Sequence, residues 1–406
     1  MKIKIVLIFI LYHVNSNIIK LPFKLKYTDI NNSISFYDYI INNKPITEIL
    51  VGTPPQKIPL KIYFDGHPLV ISGKDTNGIY NKNISSTYEK IGETICSNEE
   101  FKTLIESKET VFINDKKIKN FTFVYPFLSK NNNNESYFGL VYHYYEISNY
   151  YLAIQLSERN VISSNIYIFD YINDYEGYLI LGDYFHNFNS SYIRENFIQI
   201  SNEVTIYSFS WNLKFDKILY DNIEIIQKEI CYIDPSFNGI ILNKDFYDKI
   251  KNNFFKEYLN NKKCNVKSIN NISYFECDEN IDINNFHTLK FYHNNLNYTF
   301  ILNSNDVFMR KNKKVYFKII LNEQKPNQCL IGVPLIKKYK MNFDQARKTM
   351  GLYTKLSIDI NFLNWFIIFI LFLFCIFLIY NILKLMHHKR KKRLNEIEDI
   401  YDYIPN

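Results

Sequence analysis

The sequence contains none of the short motifs that usually identify a metal or nucleotide site. It has no Cys-x-x-Cys pair, no His-Glu-x-x-His motif, no Gly-x-Ser-x-Gly elbow and no phosphate-binding glycine-rich loop. We therefore expect no metal and no cofactor. Glycine and proline are scarce, with 11 of each among 406 residues, whereas lysine, asparagine, isoleucine, tyrosine and phenylalanine dominate. We attribute this bias to AT-rich coding and expect glycosylation sequons and aromatic clusters to arise often by chance.

The excess positive charge of the chain lies mostly at its two ends. The formal net charge is +7, and the basic run Lys389–Arg393 together with Lys2 and Lys4 accounts for most of it. Because no basic patch remains for the folded part, nucleic acid is not an expected partner. At 406 residues the chain is long enough for two domains, or for one bilobal domain, with sizeable cores.

The first residues have the pattern of a secretory signal peptide. Two lysines flank the apolar stretch Ile5–Leu11, which is too short to span a membrane. We predict residues 1–16 as the signal, with cleavage near Asn15-Ser16. A buried first strand is the alternative, and the polar stretch Ile18–Ser35 that follows disfavours it.

The other end of the chain has the pattern of a membrane anchor. Phe362–Leu383 carries no charge and is long enough to cross the hydrocarbon core as a helix. Lys389–Arg393 follows, and positive residues stay cytoplasmic. We expect a single-pass type I membrane protein with a cytoplasmic tail at residues 384–406 and a large luminal or extracellular part. In the tail, Tyr401–Ile404 fits a tyrosine-based sorting signal for an adaptor, and a disordered acidic tail is the alternative.

Two apolar strands of the sequence end in an aspartate. Leu50–Ser72 begins with a Gly-Thr-Pro-Pro turn, continues as an alternating apolar run and reaches Asp65. Ile230–Ile233 is a second apolar run, and it ends at Asp234. A carboxylate at the end of a buried strand is costly unless it is hydrogen-bonded or used. Each aspartate alone could be an ordinary turn residue, but the repeated context favours a functional pair.

The stretch Val51–Gln56 and the residues around Asp65 resemble the first active-site loop of the pepsin-like aspartic peptidases. Similar likenesses follow in order along the chain at Ser85–Tyr88, Tyr137–Tyr142, Gly177–Gly182, Trp211–Phe215, Cys329–Leu335 and Lys338–Tyr353. The resemblance implies an all-β fold with two pseudo-twofold lobes, a cleft for an extended peptide and one C-terminal transmembrane helix. It places the lobes at residues 36–201 and 202–355, after a short pro-like segment at residues 17–35.

The resemblance implies that Asp65 and Asp234 form a catalytic dyad. In aspartic peptidases as a class, two carboxyls about 3 Å apart share one proton, because like charges at that distance cannot both ionise. The family has Thr-Gly after each aspartate, where this chain has Gly66-His67 and Pro235-Ser236. We therefore expect both threonine cross-links between the loops to be absent. The family's flap motif is also replaced, by Cys96–Phe101, which has neither tyrosine nor glycine.

Other residues take their expected roles from the same resemblance. Gly139 and Gly332 correspond to the glycines of the strands behind the two loops, where two backbone segments approach closely. Of the six cysteines, Cys277 and Cys329 occupy places that resemble the second-lobe disulfide, with Cys264 as an alternative partner for either. Cys96 and Cys231 stay unassigned, because connectivity cannot be deduced from sequence. The sequons, which are candidates for glycosylation on surface loops, are Asn31, Asn83, Asn120, Asn134, Asn189, Asn271 and Asn297.

Two functions remain open from the sequence. The first is a membrane-anchored aspartic endopeptidase, favoured because both aspartates are present. The second is a pseudopeptidase that binds a peptide or a protein, or serves in trafficking, without hydrolysis. The changes after both aspartates and in the flap favour the second, because fold alone does not imply function.

Overall fold

The structure is a computed structural model that describes residues 17–27, 35–64, 66–74, 78–95, 101–129, 135–140, 150–202, 210–221, 223–354 and 360–401. Two compact units are distinguished. The first contains Met1–Phe188 and Phe197–Thr354, and the second contains Asn189–Asn196 and Lys355–Asn406.

The first unit is built from β-strands. The strands of its N-terminal half are β1 (Ile19–Leu25), β2 (Pro45–Val51), β3 (Gln56–Tyr63), β4 (Glu89–Ile95), β5 (Phe101–Ile113), β6 (Lys116–Ser129), β7 (Ser136–Gly139), β8 (Ile166–Tyr171), β9 (Glu176–Leu181) and β10 (Phe197–Ser201). The remaining strands are β11 (Trp211–Tyr220), β12 (Ile223–Ile233), β13 (Ile240–Ile241), β14 (Cys264–Ile269), β15 (Ile272–Asp278), β16 (Leu289–His293), β17 (Tyr298–Leu302), β18 (Phe308–Lys311), β19 (Lys314–Phe317), β20 (Ile319–Asn322), β21 (Leu330–Ile331), β22 (Asn342–Asp344) and β23 (Thr349–Tyr353).

These strands form two large sheets. The first has 12 strands, ordered β10-β23-β22-β8-β9-β1-β2-β3-β7, with β5 pairing with β2, β4 and β6. The second has 11 strands, ordered β17-β16-β11-β12-β21-β13-β20-β15-β19-β18, with β14 pairing with β15. The fold is therefore mostly β, as predicted. The first sheet also takes in β22 and β23, which lie inside the range predicted for the second lobe.

Strand β1 lies inside the first sheet, between β9 and β2. It pairs antiparallel with β9 from Ile19 opposite Leu181 to Lys24 opposite Glu176. Its alternate residues Ile19, Leu21, Phe23 and Leu25 are buried, with relative exposures of 0 to 3%. The segment predicted as short and pro-like at residues 17–35 thus contains a core strand, whose period-2 burial is typical of a sheet covered on one face.

The helices are short except for the last. They are α1 (Leu152–Glu158), α2 (Phe185–Phe188), α3 (Lys244–Ile250), α4 (Lys256–Asn260), α5 (Ser304–Val307), α6 (Val333–Tyr339) and α7 (Ile360–Tyr401). Single π-helical turns occur at Asp38–Asn42 and Lys251–Phe255. Single 3₁₀ turns occur at Lys82–Ile84, Arg194–Asn196, Ile283–Asn285 and Asn294–Leu296.

Helix α7 belongs to the second unit and contains the predicted membrane segment. Its stretch Ile368–His387 has a mean hydropathy of 2.6 and is entirely exposed. A soluble helix with 20 such residues would expose a large apolar surface to water. The helix is therefore long and apolar enough to cross a membrane. The predicted signal at residues 1–16 lies outside the described residues.

Aromatic side chains connect the two sheets of the first unit. Tyr167 of β8 stacks on Phe343 with ring centroids 5.3 Å apart, and its hydroxyl accepts a hydrogen bond from the Trp211 indole of β11. Tyr167, Trp211 and Phe343 are all almost fully buried. The two sheets consequently share one apolar core at the place where β8, β11 and β22 meet.

Candidate functional site

The strands that lead to the two predicted catalytic aspartates have the same surroundings. Strand β3 pairs in parallel with β7, with Tyr63 opposite Gly139. Strand β12 pairs in parallel with β21, with Ile233 opposite Ile331. In both cases the chain continues from the paired strand into the aspartate, and the partner strand ends at or just before a glycine. Parallel pairs are uncommon in a largely antiparallel fold. Among the described strands one further pair, β13 with β20, is parallel, so the two aspartate loops share an uncommon pairing that is not confined to them.

Backbone packing explains the glycine behind the second loop. A Cβ atom added to Gly332 would lie 1.9 Å from the Phe237 carbonyl oxygen and 2.7 Å from that of Gly239. The Val333 N–H also donates to the Phe237 carbonyl over 2.8 Å. The predicted close approach of two backbone segments at Gly332 is therefore present. At the first loop, the Gly139 N–H donates to the His67 carbonyl over 2.9 Å.

Asp65 lies outside the residues that the structure describes, but the residues after it can be placed. The Gly66 carbonyl accepts a hydrogen bond of 3.1 Å from the Tyr151 hydroxyl. His67 is exposed, and its ring lies edge-on to Tyr63 and Tyr137 with centroids 5.1 and 5.4 Å away. His67 therefore belongs to an aromatic cluster at the surface of the first loop.

The Asp234 carboxylate is held by its own loop. Its Oδ1 atom accepts hydrogen bonds from the Ser236 backbone N–H at 2.8 Å and from the Ser236 hydroxyl at 2.6 Å. Ser236 is buried, with 3% exposure. A hydroxyl donor is thus present although the family's threonine is not, and the resemblance alone did not predict it. Two donors on one oxygen fix the direction of the carboxyl group.

A lysine from the first sheet reaches the same carboxylate. Lys44 Nζ lies 3.5 Å from Asp234 Oδ2 and donates a hydrogen bond of 2.9 Å to Ser236 Oγ. Both charged side chains are about a quarter exposed, at 24% and 23%. This contact could not be predicted from sequence, because Lys44 is a single lysine before β2 and stands 192 positions before Ser236. Asp234 is consequently one half of an ion pair.

A tyrosine of the first sheet binds the backbone of Pro235, the residue after Asp234. The Tyr171 hydroxyl donates to the Pro235 carbonyl over 2.6 Å. Burial raises the pKa of Tyr171 well above its ordinary value, and the negative charge of Asp234 acts in the same direction. Tyr171 therefore stays neutral and remains a hydrogen-bond donor to the second loop at any physiological pH.

An ionic cluster next to these residues also joins the two sheets. Asp174, in the turn between β8 and β9, contacts Lys318 Nζ at 3.1 Å and Lys337 Nζ at 2.7 Å. Burial would raise the pKa of Asp174, but the two ammonium groups outweigh it and lower the pKa to about 2. Asp174 is therefore ionised wherever the protein is folded near neutral pH, and Lys318, with 5% side-chain exposure, depends on it for neutralisation.

The predicted flap corresponds to the hairpin of β4 and β5. The two strands pair antiparallel from Glu89 opposite Lys108 to Ile95 opposite Thr103. The tip that replaces the family motif, residues 96–100, lies outside the described residues, and Cys96 with it. The hairpin itself forms without the glycines of the family motif.

The disulfides differ from the pairing that the resemblance implies. Cys231 is bonded to Cys329, and Cys264 to Cys277, so the expected Cys277–Cys329 bond is wrong. Cys264 and Cys277 stand opposite each other on β14 and β15. Cys231 and Cys329 come together because the residues that follow them, Tyr232 and Leu330, pair on β12 and β21. Cys264 was the alternative left open, whereas nothing in the sequence indicated a partner for Cys231.

The predicted glycosylation sites can be located in part. Asn83, Asn120, Asn271 and Asn297 are exposed. Asn189 is half-buried, and its side-chain oxygen accepts a hydrogen bond from the Ser191 N–H. Asn31 and Asn134 lie outside the described residues. Four sequons are thus accessible to a glycosylating enzyme on the folded surface.

Two searches, one for a metal site among the described residues and one for related proteins, gave no match. Within the described ranges, no group of three or more histidine, cysteine, aspartate or glutamate side chains could hold a metal ion. Comparison with protein-family models and with curated proteins finds no match to this chain.

Proposed function

We propose that the chain is a membrane-anchored, pepsin-like aspartic endopeptidase that hydrolyses extended peptides with Asp65 and Asp234. The observation that carries the proposal is the repeated arrangement around the two aspartates. In each case a strand that leads to the aspartate pairs in parallel with a short strand beside a glycine. One such loop could be accidental, but two with the same pairing support a pair of related half-sites and two related lobes.

The chemistry would need the two carboxyls to share one proton. The ionised carboxyl takes a proton from a bound water, and the protonated carboxyl donates to the scissile carbonyl. Ser236 supports this role, because its two hydrogen bonds to Oδ1 leave Oδ2 of Asp234 for the water or for the second carboxyl. No cofactor takes part in such a reaction.

The second candidate is a pseudopeptidase that binds a peptide or protein without cutting it. The contact between Lys44 and Asp234 favours this function. The ammonium group lies on Oδ2, the oxygen that the water or the second carboxyl would need. With Lys44 in this position, Asp234 acts as an anion paired with a cation, and the shared proton has no place.

We propose the same membrane topology as the sequence predicts. The apolar helix near the C-terminus and the two disulfides are compatible with a single-pass protein whose large part is luminal or extracellular, since disulfides persist in oxidising compartments. Peptides in the secretory pathway or outside the cell would then be the substrates or ligands. The tail could recruit a sorting adaptor through Tyr401–Ile404.

The decisive experiment assays the full-length protein in detergent against a mixed peptide library between about pH 3 and pH 7, the range in which dyads titrate. Asp65→Asn, Asp234→Asn and Lys44→Met variants are compared with the native chain. Endopeptidase function predicts cleavage that both Asn variants and a pepstatin-like inhibitor abolish. Lys44→Met should then retain or increase it.

The pseudopeptidase predicts a different result. Neither the native chain nor Lys44→Met should cleave any peptide, although circular dichroism shows both to be folded. Cleavage that persists in Asp234→Asn would contradict both candidates, because it would require a nucleophile elsewhere in the chain or a contaminating enzyme.

A further inference from the structure

A cavity lies in the first unit, at the far end of the β11–β12 hairpin from Asp234. It has a volume of about 340 Å³ and is lined in part by Tyr220, Asp221, Phe254, Glu257 and Tyr258. Strand β12 has 11 residues, and at about 3.3 Å per residue the cavity is roughly 35 Å from the Asp234 loop. It is therefore separate from the site described above.

The charged side chains of this cavity are acidic. Among the described residues that line it, Asp221 and Glu257 are acidic, His287 is the one histidine, and none is a lysine or an arginine. Within the described residues, neither carboxylate forms a salt bridge or accepts a side-chain hydrogen bond. Two unneutralised carboxylates that face one concave space attract a cation.

Aromatic side chains form another part of the wall, which also includes Ile223, Asn253, Asn285 and His287. Tyr220 and Phe254 are buried, with 3% and 8% exposure, whereas Tyr258 is half-buried. Such rings attract organic cations through their negative faces. The rings are fixed by packing. Phe254 lies 5.2 Å from Phe286 and 5.5 Å from Tyr258, and Tyr220 lies 5.1 Å from Phe286, as centroid distances.

Backbone contacts hold the cavity open. The turn at Asp221 is tied to the neighbouring segment by a hydrogen bond of 3.0 Å from its N–H to the Thr288 carbonyl. The His287 N–H donates to the Tyr220 hydroxyl over 3.4 Å. On the opposite wall, Phe254 stands in the π-helical turn Lys251–Phe255, a local distortion that is often found at functional sites.

From these features we infer that the cavity binds an organic cation, specifically a guanidinium or primary ammonium group on a short aliphatic chain. The carboxylates of Asp221 and Glu257 neutralise the charge, and the aliphatic part lies against Tyr258 and the exposed Ile223. Its volume of about 340 Å³ lies at the lower end of ordinary small-molecule pockets. The group could belong to a free amine or to an arginine side chain of a peptide, and both present the same chemistry.

The test is calorimetric titration of the full-length protein in detergent with agmatine and with the uncharged analogue N-butylurea. We expect saturable binding of agmatine, a Kd raised about fivefold by Asp221→Asn or by Glu257→Gln, and no measurable binding to the double variant. Glu279→Gln, which removes an exposed carboxylate of the same sheet outside the cavity, should leave the Kd unchanged. About 0.5 M salt should weaken the binding.

A third titration, with the blocked tripeptide Gly-Arg-Gly, separates the two sources of the cation. Tighter binding than that of agmatine identifies an arginine side chain of a peptide, whereas weaker binding identifies a free amine. Three results would overturn the inference. They are no saturable binding of either probe, equal binding of N-butylurea, or an unchanged agmatine Kd in the folded double variant.

Discussion

At the scale of single residues, the surroundings of Asp234 come from three parts of the chain. Ser236 donates from the same loop, Tyr171 fixes the carbonyl of Pro235 from β8, and Lys44 approaches from the segment before β2. The loop is therefore held to the first sheet by a neutral hydrogen bond and by an ion pair. Only the ion pair can be removed without disturbing the core, because Tyr171 is fully buried and Lys44 is not.

Replacing Lys44 by methionine tests whether the ion pair contributes to stability. Lys44→Met leaves Asp234 its two bonds to Ser236, so we expect the free energy of unfolding to fall by only about 1 kcal/mol. Lys57→Met is the matched control, because Lys57 pairs with Glu48 on the surface, where the side chains are 67% and 50% exposed. Thermal unfolding followed by tyrosine and tryptophan fluorescence measures both. Equal effects would mean that the Lys44 contact adds nothing to an ordinary surface pair.

The Asp174 cluster should behave as a buried charge pair. Asp174→Asn leaves Lys318 almost fully buried without its anion, so we expect a loss of about 3 kcal/mol in the free energy of unfolding at pH 7. Asp170→Asn is the control, since the side chains of Asp170 and its partner Lys340 are 29% and 22% exposed. This substitution should lower the free energy of unfolding by about 1 kcal/mol.

The pH dependence of that loss follows from the pKa of Asp174. Because folding lowers the pKa from its ordinary 3.8 to about 2, the ionised group stabilises the folded state above about pH 4. This stabilisation disappears as the pH falls through about 2. The difference between native chain and Asp174→Asn should therefore be constant from pH 7 to pH 4 and shrink below it. Urea unfolding across this range measures it, and a difference that shrinks already near pH 6 would refute the assignment.

At the scale of elements, the sequence predicted those features that local pattern determines. Alternating apolar residues located β3, and a short apolar run located the last four residues of β12. The family resemblance, through Gly332, indicated the close backbone approach behind the second loop. Pattern could not predict contacts that depend on how distant segments meet. Cys231 pairs with Cys329 across 98 positions, and this depends on the register between two short strands. Strand β1 was not predicted as a strand, because its alternate lysines and proline make it look polar although its other face is buried.

The glycine prediction can be tested by one methyl group. Gly332→Ala would place a Cβ 1.9 Å from the Phe237 carbonyl oxygen, and moving the two segments apart would break the hydrogen bonds from Gly332 and Val333 and disturb the pairing of β13 with β21. We expect a loss of at least about 3 kcal/mol in the free energy of unfolding, or failure to fold. Gly92→Ala on β4 is the control, because its nearest neighbour is the flexible Glu106 side chain at 3.3 Å. A well-folded Gly332→Ala protein with native stability would show that the approach is looser than described.

The disulfide pattern gives a second test at this scale. Non-reducing proteolysis and mass spectrometry should recover peptides that join Cys231 to Cys329 and Cys264 to Cys277. The Cys231→Ser, Cys329→Ser double variant should lose about 4 kcal/mol in the free energy of unfolding, because the Cys231–Cys329 bond closes a long loop of the unfolded chain. The Cys264–Cys277 bond closes a shorter loop, with a sequence separation of 13. Replacing both of its cysteines by serine should therefore lower the free energy of unfolding by about 3 kcal/mol. Recovery of a Cys277–Cys329 peptide would contradict the structure.

At the scale of the whole molecule, three features are compatible with the proposed luminal or extracellular placement of the β unit. Disulfides persist in oxidising compartments, and the described residues contain two. Four sequons are exposed on the β unit, and one apolar helix near the C-terminus is long enough to cross a membrane. In the proposed topology, the basic run at Lys389–Arg393 stays on the cytoplasmic side.

This topology predicts how the full chain fractionates. After expression in a secretory host, the native protein should stay in the membrane pellet during carbonate extraction and become smaller on treatment with an N-glycosidase. A chain that ends at Lys355 should instead be released into the medium, with the same glycans. Asn83, Asn120, Asn271 and Asn297 are the acceptors to replace by glutamine, because their side chains are exposed on a unit that the topology places outside the cytoplasm. If the membrane-bound chain carried no glycan while the Lys355 truncation did, the helix would be inserted in the opposite direction. The β unit would then face the cytoplasm, where its disulfides could not persist.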